Sequence, residues 1–205
     1  MVLRVAALLL AAGSSRRMGT SKQLLRLGDR SVVRRCFDAI VAAGIQHVVV
    51  VAGAPGDGIA EEFAGTSATI ARNNIPNSQM ADSVKKGLSE LHDLYPGVLV
   101  CLSDHPLITT ETFRAVIQAH QNAPHKIIIP VYGKGRGHPT LFPLPALKEI
   151  ESGATLRDII RKDEGRVSLI EVPDEGVVLD MDTVDDYQRV RERFTAGCEG
   201  GLPEL

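Results

Sequence analysis

Residues 10–22 read LAAGSSRRMGTSK and follow directly on the mostly apolar run VLRVAALLL at residues 2–10. A short apolar run that ends in small residues predicts a buried strand followed by a loop. Similar runs recur at residues 47–52 (HVVVVA) and 97–103 (GVLVCLS). The residues between these runs include segments typical of helices. Strands that alternate with helices predict an α/β fold, here a Rossmann-like three-layer α/β/α sandwich around a mostly parallel, mixed sheet.

The rest of the chain continues this alternation. We predict further strands at residues 67–71, 126–131, 139–142, 167–172 and 177–179. We predict helices at residues 31–43, 80–91, 110–121, 146–151, 155–162 and 184–194, and a glycine-rich turn at residues 133–137. Because neither a linker nor an internal repeat interrupts the pattern, we expect one domain over residues 1–195. The tail, residues 196–205, has no periodic pattern and is expected to be loose.

Composition narrows the class of protein. The 205 residues are 44% hydrophobic and 23% charged, with a net charge of −2, so nothing favours nucleic acid as a partner. Three widely spaced cysteines form neither a CxxC pair nor a disulfide framework, which fits a reducing cytoplasm. No segment approaches the roughly 18 apolar residues that a membrane span requires. The first apolar run could imitate a secretory signal, but cleavage there would destroy the loop that follows it, so we favour a strand and a cytoplasmic protein.

The loop after the first strand has the properties of a phosphate site. A triphosphate carries about four negative charges, and its binding site must replace water with backbone N–H donors and cations. Small residues from Ala11 to Ser15 let the backbone wrap closely around an anion. Arg17 offers a bidentate fork and Lys22 a compact charge. The spacing matches neither GxxxxGK[ST] nor GxGxxG. The alternative interpretation is a surface turn rich in Gly, Ser and Arg.

Three aspartates follow the ends of predicted strands. Asp104 comes directly after GVLVCLS, and Asp180 and Asp182 lie in LDMDT, where alternation would put both on one face. Ligands of α/β sheets bind beyond the carboxyl ends of the strands. Carboxylates from two strand ends are suitable ligands for Mg²⁺. The alternative is that Asp104 and Asp182 are capping residues of turns or helices.

The loop resembles the LAAGxSxRMGxxK signature of nucleotidyltransferases that activate phosphorylated acceptors. The chain matches every fixed position of that signature, namely Leu10, Ala11, Ala12, Gly13, Ser15, Arg17, Met18, Gly19 and Lys22. Within that superfamily the double alanine resembles the molybdenum cofactor cytidylyltransferases, whereas related guanylyltransferases usually carry LAGG. The resemblance also implies the nucleotide-diphospho-sugar transferase type of fold.

Further segments extend the resemblance. SDHP, which contains Asp104, is similar to the family element GDxP, and DMDTVDDY is similar to DIDTPEDY. The matched aspartates are metal ligands in the family, which implies Mg²⁺ on Asp104 and Asp182, with Asp180 a weaker candidate. ARNNIPNSQMADSVKKGL resembles the Asn…GMxxSLxxGL segment. The matched Asn74, Ser83 and Gly87 are therefore expected near the nucleoside.

The resemblance assigns roles within the site. Arg17 and Lys22 are expected to hold the triphosphate, and these two residues with Asp104 are the catalytic candidates. The expected nucleotide-binding residues are Leu10, Ala11, Ala12, Gly13, Ser14, Ser15, Arg17, Lys22, Asn74, Ser83 and Asp104.

The acceptor half of the site rests on weaker matches. GRGHPTLF contains the GHP element of the cytidylyltransferases, which makes His138 a candidate donor to an acceptor phosphate. The family often shows GDxGAR before its last helices, where this chain reads ESGATLRDII. Arg157 is the residue of that segment expected to face the acceptor, although the acidic residue of the motif is not retained.

The resemblance therefore implies a Mg²⁺-dependent transfer of a cytidylyl group from CTP to the phosphate of molybdopterin cofactor, with release of pyrophosphate. A molybdoenzyme or its chaperone is the expected partner. One alternative keeps the chemistry with GTP or another phosphorylated acceptor. Another is a non-catalytic protein that binds a nucleotide or delivers the cofactor. A Rossmann dehydrogenase is disfavoured because its glycine fingerprint is missing.

Overall fold

A computed structural model describes residues 4–13, 21–53, 58–91 and 95–199 of the chain. Its centre is an eight-stranded sheet with the order β10-β7-β9-β6-β1-β4-β5, in which β8 pairs with β7. The strands are β1 (Val5–Leu10), β4 (Val48–Ala52), β5 (Thr69–Arg72), β6 (Gly97–Leu102), β7 (Ile127–Tyr132), β8 (Gly135–Arg136), β9 (Thr140–Pro143) and β10 (Val167–Glu171), and β2 (Arg26–Leu27) and β3 (Arg30–Ser31) form a separate hairpin.

The helices cover both faces of the sheet. They are α1 (Val32–Ala42), α2 (Met80–Leu88), α3 (Thr110–Asn122), α4 (Leu144–Leu147), α5 (Leu156–Arg161) and α6 (Val184–Glu199). Shorter 3-10 helices lie at Lys22–Leu24, Ala60–Phe63, Lys148–Ser152, Glu164–Arg166 and Glu175–Val177. This is the predicted three-layer α/β/α sandwich.

Strand β1 lies near the middle of the sheet, between β4 and β6, and is parallel to both. Its side chains alternate between two hydrophobic clusters. Ala7 and Leu9 pack with residues of α1 and α3, whereas Leu8 and Leu10 pack with residues of α2, α4 and α5. A strand covered on both faces must be apolar at every position, which is why VAALLL has no polar residue.

The sheet is mixed because β9 runs antiparallel to both β6 and β7. As a consequence, the first residues of β9 lie beside the last residues of β6, with Val100 opposite Thr140. The glycine-rich turn before it carries the short strand β8, which pairs with the end of β7. This arrangement brings the GHP segment to the edge of the sheet where the parallel strands end.

Helix boundaries follow capping chemistry. The hydroxyl of Ser31 accepts a hydrogen bond from Arg34 N and caps α1, and Thr109 caps α3 in the same way. Gly44 follows α1 with a φ of 96°. Glycine adopts that left-handed conformation without strain, so the chain reverses there.

The prediction of a strand at residues 177–179 is wrong. Glu175–Val177 is a 3-10 helix that is capped by the preceding Asp174. The carboxylate of Asp174 accepts hydrogen bonds from Gly176 N and from the backbone N–H and hydroxyl of Thr109. A Cβ on Gly176 would lie 2.6 Å from the backbone of Leu107. These contacts hold the segment against the loop before α3.

Helix α6 begins at the predicted residue but extends to Glu199, so the first four residues of the expected tail are helical. Residues 200–205 lie outside the described part of the chain. In the four described ranges, no helix combines the length and the apolar character needed to cross a membrane.

Candidate active site

Three charged side chains that are distant in sequence meet at one edge of the sheet. The ammonium of Lys22 donates hydrogen bonds to Asp104 Oδ2 and to Asp182 Oδ1, both at 2.8 Å. The Lys22 side chain is 11% exposed, that of Asp104 19% and that of Asp182 49%. A lysine between two carboxylates from other parts of the chain is thus the electrostatic centre of the site.

The topology explains this meeting. Strands β1 and β6 are parallel neighbours, so the loops that follow them leave the sheet at the same edge. Lys22 begins the 3-10 helix after the first loop, and Asp104 lies two residues beyond β6. Asp182 is held beside them because the preceding Met181 is fully buried in a cluster with Leu27.

The two aspartates are not the capping residues of the helices that follow them. Helix α3 is capped by Thr109. At the start of α6, Asp186 N donates to the Thr183 hydroxyl, and Thr183 N donates to the Asp186 carboxylate. The alternative interpretation of Asp104 and Asp182 as helix caps is therefore wrong.

The charge state of Lys22 follows from its surroundings. Burial lowers the pKa of its ammonium, whereas the neighbouring Asp104 and Asp182 raise it, and the net result is a pKa above the usual value. Lys22 is therefore a cation at neutral pH. It presents a fixed positive charge at the edge where an anionic ligand of the sheet would bind.

A cleft opens beside these charges. It is lined by six residues predicted to bind nucleotide, together with Gln23, Ser78, Gln79, Met80, Leu102 and Ser103; the six are Leu10, Ala12, Gly13, Lys22, Ser83 and Asp104. Ala11 is instead buried in the hydrophobic core. The cleft measures about 180 Å³ and shares Ala12 and Gly13 with an adjoining hollow of about 700 Å³. Because small-molecule sites usually span roughly 300–1,000 Å³, a nucleotide would extend across both.

Three residues of the predicted phosphate loop lie outside the described part of the chain, namely Ser14, Ser15 and Arg17. The residues that flank them are described. Gln23 is buried, and its amide donates to the carbonyl of Gly13 at 3.0 Å and accepts from the hydroxyl of Ser21 at 3.0 Å. Sequence reasoning missed Gln23. The sequence feature that could have indicated Gln23 is its position between Lys22 and the apolar residues 24 and 25.

The segment that contains Asn73, Asn74 and Ser83 divides into a supporting and an exposed part. Asn73 is buried, and its amide donates to the hydroxyl of Ser83 at 3.0 Å. This contact orients Ser83 at the wall of the cleft. Asn74 is exposed and lines the adjoining hollow. Asn74 and Ser83 thus face the two parts of the expected nucleotide site, and Asn73 supports one of them.

Gly87, which was expected near the nucleoside, is not among the residues that line the cleft or the hollow. A Cβ at this position would be 2.9 Å from a methyl carbon of Leu8 and 3.0 Å from one of Val51. Gly87 therefore lets α2 approach β1 and β4 closely, and its role is in packing. The segment that resembles Asn…GMxxSLxxGL thus contains Ser83, which lines the cleft, and Gly87, which packs in the core.

The histidines of the SDHP and GHP segments lie against each other. The rings of His105 and His138 have centroids 5.3 Å apart, and His105 Nε2 is 3.7 Å from Asp104 Oδ1. Burial lowers the pKa of His138 to about 4, and His105 adds to this effect while Asp104 opposes it. His138 is therefore neutral at pH 7. Sequence reasoning gave His105 no role, although it is adjacent to Asp104.

The remaining predicted residues are less central. Arg157 is exposed on α5 and is not among the residues that line the cleft or the hollow. Asp180 is also exposed. Within the described ranges, no group of three or more His, Cys, Asp and Glu residues is arranged to hold a metal ion.

The carboxylate oxygens of Asp104 and Asp182 are suitable ligands for a divalent cation. Asp104 Oδ1 is buried and has no hydrogen-bond partner among the residues that the structure describes. Its other oxygen and the carboxylate of Asp182 converge on one cationic atom. Carboxylate oxygens are the ligands that Mg²⁺ prefers.

Known proteins resemble this chain over most of its length. Nicotine blue oxidoreductase of Paenarthrobacter nicotinovorans is 29% identical over 91% of this chain and 96% of its own. Molybdenum cofactor cytidylyltransferase of Escherichia coli is 25% identical over 90% of this chain and 94% of its own. Bifunctional protein GlmU of Mycobacterium avium is 38% identical over 124 residues, which are 56% of this chain and a quarter of that protein.

Solved structures share the fold. Rv0371c of Mycobacterium tuberculosis has a TM-score of 0.79 and 25% identity, and the alignment covers 94% of this chain and 99% of that one. A nucleotidyl transferase from Methanothermobacter has a TM-score of 0.80 and 19% identity over 95% of this chain and 99% of its own. A family profile described as the MobA-like NTP transferase domain matches residues 7–169. The match includes β1, Lys22 and Asp104, and the chain belongs to this family of nucleotidyltransferases.

Proposed function

We propose that the protein transfers a cytidylyl group from CTP to the phosphate of molybdopterin cofactor and releases pyrophosphate. The observation that carries the proposal is the convergence of Lys22, Asp104 and Asp182 beside a cleft walled by the Ala12–Gly13 backbone. A cation and a pair of carboxylates at the edge where the parallel strands end suit the binding and cleavage of a triphosphate.

The proposed reaction places few demands on the protein beyond position and charge. The acceptor phosphate is already anionic and attacks the α-phosphorus of CTP in line, so no general base is needed. Lys22 neutralises the negative charge that develops on the departing pyrophosphate. Ser83, which Asn73 orients, holds the nucleoside in the cleft. The small residues Ala12 and Gly13 allow the nucleotide to approach the backbone.

Asp104 and Asp182 are the residues that would hold Mg²⁺. The ion would supply charge neutralisation at the phosphates when it is bound. Asp104 Oδ1, which is buried and accepts no hydrogen bond from the described residues, supports this assignment. A molybdoenzyme or its chaperone as the partner that receives the product stays a prediction.

Two features support CTP and molybdopterin as the substrates. The LAAG sequence at residues 10–13 and the GHP element at residues 137–139 resemble the cytidylyltransferase branch. The Escherichia coli relative, aligned over nearly its whole length, is named for cytidylyl transfer to molybdenum cofactor. His138 is the proposed contact to the acceptor, since its ring lies next to that of His105, which is 3.7 Å from Asp104.

A direct assay tests the proposal. The protein is incubated with Mg²⁺, molybdopterin cofactor and each nucleoside triphosphate separately, and release of pyrophosphate is measured. We expect release with CTP. Release with GTP, or with another phosphorylated acceptor only, would replace the substrates but keep the reaction. Tight CTP binding without release under any condition would favour a non-catalytic binding protein.

Similarity to nicotine blue oxidoreductase raises a second candidate, a redox reaction on a similar scaffold. That relative shares more identical positions with this chain than the cytidylyltransferase does. The same preparation is therefore assayed for oxidation of a reduced nicotinamide in the presence of nicotine blue. Nicotinamide oxidation without pyrophosphate release would overturn the transferase proposal.

A further inference from the structure

The contact of Lys22 with two carboxylates has a consequence for cation binding. Lys22 Nζ lies 2.8 Å from Asp104 Oδ2 and 2.8 Å from Asp182 Oδ1, so one ammonium interacts with both partners at hydrogen-bond distance. A divalent cation that binds these two oxygens would occupy the position that the ammonium has between them. The ammonium and the cation therefore compete for one place.

We infer that Lys22 is a resident counter-cation of the Asp104–Asp182 pair, and that a divalent cation binds tightly only when a phosphate ligand draws Lys22 away. The inference concerns the regulation of the proposed site and rests on the proposed function for its phosphate ligand. Its central claim, competition between Lys22 and a metal ion, holds independently of which nucleotide reacts.

The energetics support competition. Lys22 and Asp104 are largely buried, so their attraction is screened less than that of an exposed pair. Loss of the Lys22 charge beside the carboxylates of Asp104 and Asp182 would make the site more negative, which favours uptake of another cation.

The exposure of the partners indicates how the exchange takes place. Asp182 is half exposed, whereas Asp104 is mostly covered. Asp182 is therefore the more solvent-exposed partner of the ammonium. Lys22 has a long, flexible side chain, and Lys22 and Asp104 also line the cleft beside Gly13. A phosphate in that cleft would lie close enough to replace the carboxylates as the partner of Lys22.

Binding of Mn²⁺ alone, without nucleotide, tests the inference. Mn²⁺ is titrated into the wild-type protein and the Lys22→Met variant, and free Mn²⁺ is followed by electron paramagnetic resonance. We expect Lys22→Met to bind Mn²⁺ at least about tenfold more tightly, because it removes the competing positive charge between Asp104 Oδ2 and Asp182 Oδ1. Lys162→Met is the matched control, since Lys162 pairs with Glu149 on another surface and its loss changes the net charge equally.

A second variant and a double variant keep the test decisive. Lys22→Gln, with melting curves to establish folding, must show the same gain. Lys22→Met combined with Asp104→Asn must lose it, which assigns the gain to the carboxylate pair. Unchanged or weaker Mn²⁺ binding in both Lys22 variants would overturn the inference. The readout needs no turnover, so a protein that fails to transfer cytidylyl groups can still show the competition.

Discussion

The two halves of the cleft differ in how firmly the tertiary structure assembles them. In the acidic half, Lys22, Asp104 and Asp182 come from three distant segments and are joined by hydrogen bonds of 2.8 Å. In the acceptor half, His138 lies against His105, whereas Arg157 is exposed on α5 and outside the cleft. The first half is a connected site, and the second contains a pair of adjacent histidine rings.

The difference shows what a sheet positions well. Residues at the ends of adjacent strands are carried to one place by the backbone pairing of β1 and β6. Arg157 belongs to a short helix that packs over one face of the sheet through Ile159. A residue on such a helix depends on side-chain length to reach the edge of the sheet. We therefore expect substitutions to have large effects on activity in the acidic half and small effects elsewhere.

The largest effect is expected for Asp104→Ala. It removes one partner of Lys22 and the proposed metal ligand, and we expect kcat/KM to fall by at least about 10²-fold, the scale of losing an electrostatic stabiliser. Pyrophosphate release measures it, with thermal melting as the control for folding. Near-normal turnover would remove Asp104 from the reaction and the acidic half from the centre of the site.

A smaller loss is expected for Asp182→Asn. The side chain of Asp182 is half exposed, so solvent screens its charge, and we expect kcat/KM to fall about tenfold. Asp180→Asn is the matched control, because Asp180 is exposed two residues away. Equal losses of kcat/KM in both variants would contradict the prediction, because they would show that the contact with Lys22 does not distinguish Asp182 from Asp180.

The acceptor half is tested by comparing His138→Ala with Arg157→Ala. We expect His138→Ala to raise the KM for molybdopterin cofactor about fivefold, the value of one neutral hydrogen bond, without a change for CTP. Arg157→Ala should change the acceptor KM less than twofold, within the scatter of a surface substitution. An Arg157 effect as large as that of His138 would make it an acceptor contact and enlarge this half of the site.

The smallest effect distinguishes His138 from a histidine at the opposite edge of the sheet. His120 is fully buried beside Gly97, and burial lowers the pKa of its ring. Because the unfolded chain then binds a proton more readily than the folded one, the free energy of unfolding should fall as pH drops below about 6.5. Urea unfolding at pH 7 and pH 5 measures this change.

The matched variant for that measurement is His120→Leu. It should lose less stability between the two pH values than the wild type, and its kcat/KM at pH 7 should be unchanged. An identical pH dependence in both proteins would assign the acid sensitivity to other groups, such as His138. A change in kcat/KM would place His120 in the acceptor half despite its position at the other end of β6.

Much of the fold could be predicted because local patterns and tertiary packing agree. The apolar run before Leu10 can be stable only as a strand covered on both faces, and Ser31 and Thr109 mark helix starts by capping. The segment at residues 177–179 was different. Its apolar residues suit a strand, but Asp174 and the close approach of Gly176 to Leu107 bind it to a loop.

The candidate site shows the same limit. The spacing of residues 10–22 and the positions of Asp104 and Asp182 after apolar runs identified all three members of the acidic half. Gln23 and Asn73 were missed as supporting residues because a buried amide and an exposed amide look alike in sequence. Gly87 was misplaced because a glycine required for helix packing is indistinguishable from one required beside a ligand.

The sequence by itself determined the class of fold, the family and the charged residues of the acidic half, since these depend on periodicity, motif spacing and residue type. Only the tertiary structure decided that Lys22 lies between Asp104 and Asp182, that His138 lies beside His105, and that Arg157 stays on the surface. The physical reason is that the charge and polarity of a residue are properties of that residue alone. Its partners are set by strand order and by the packing of segments up to 160 residues apart.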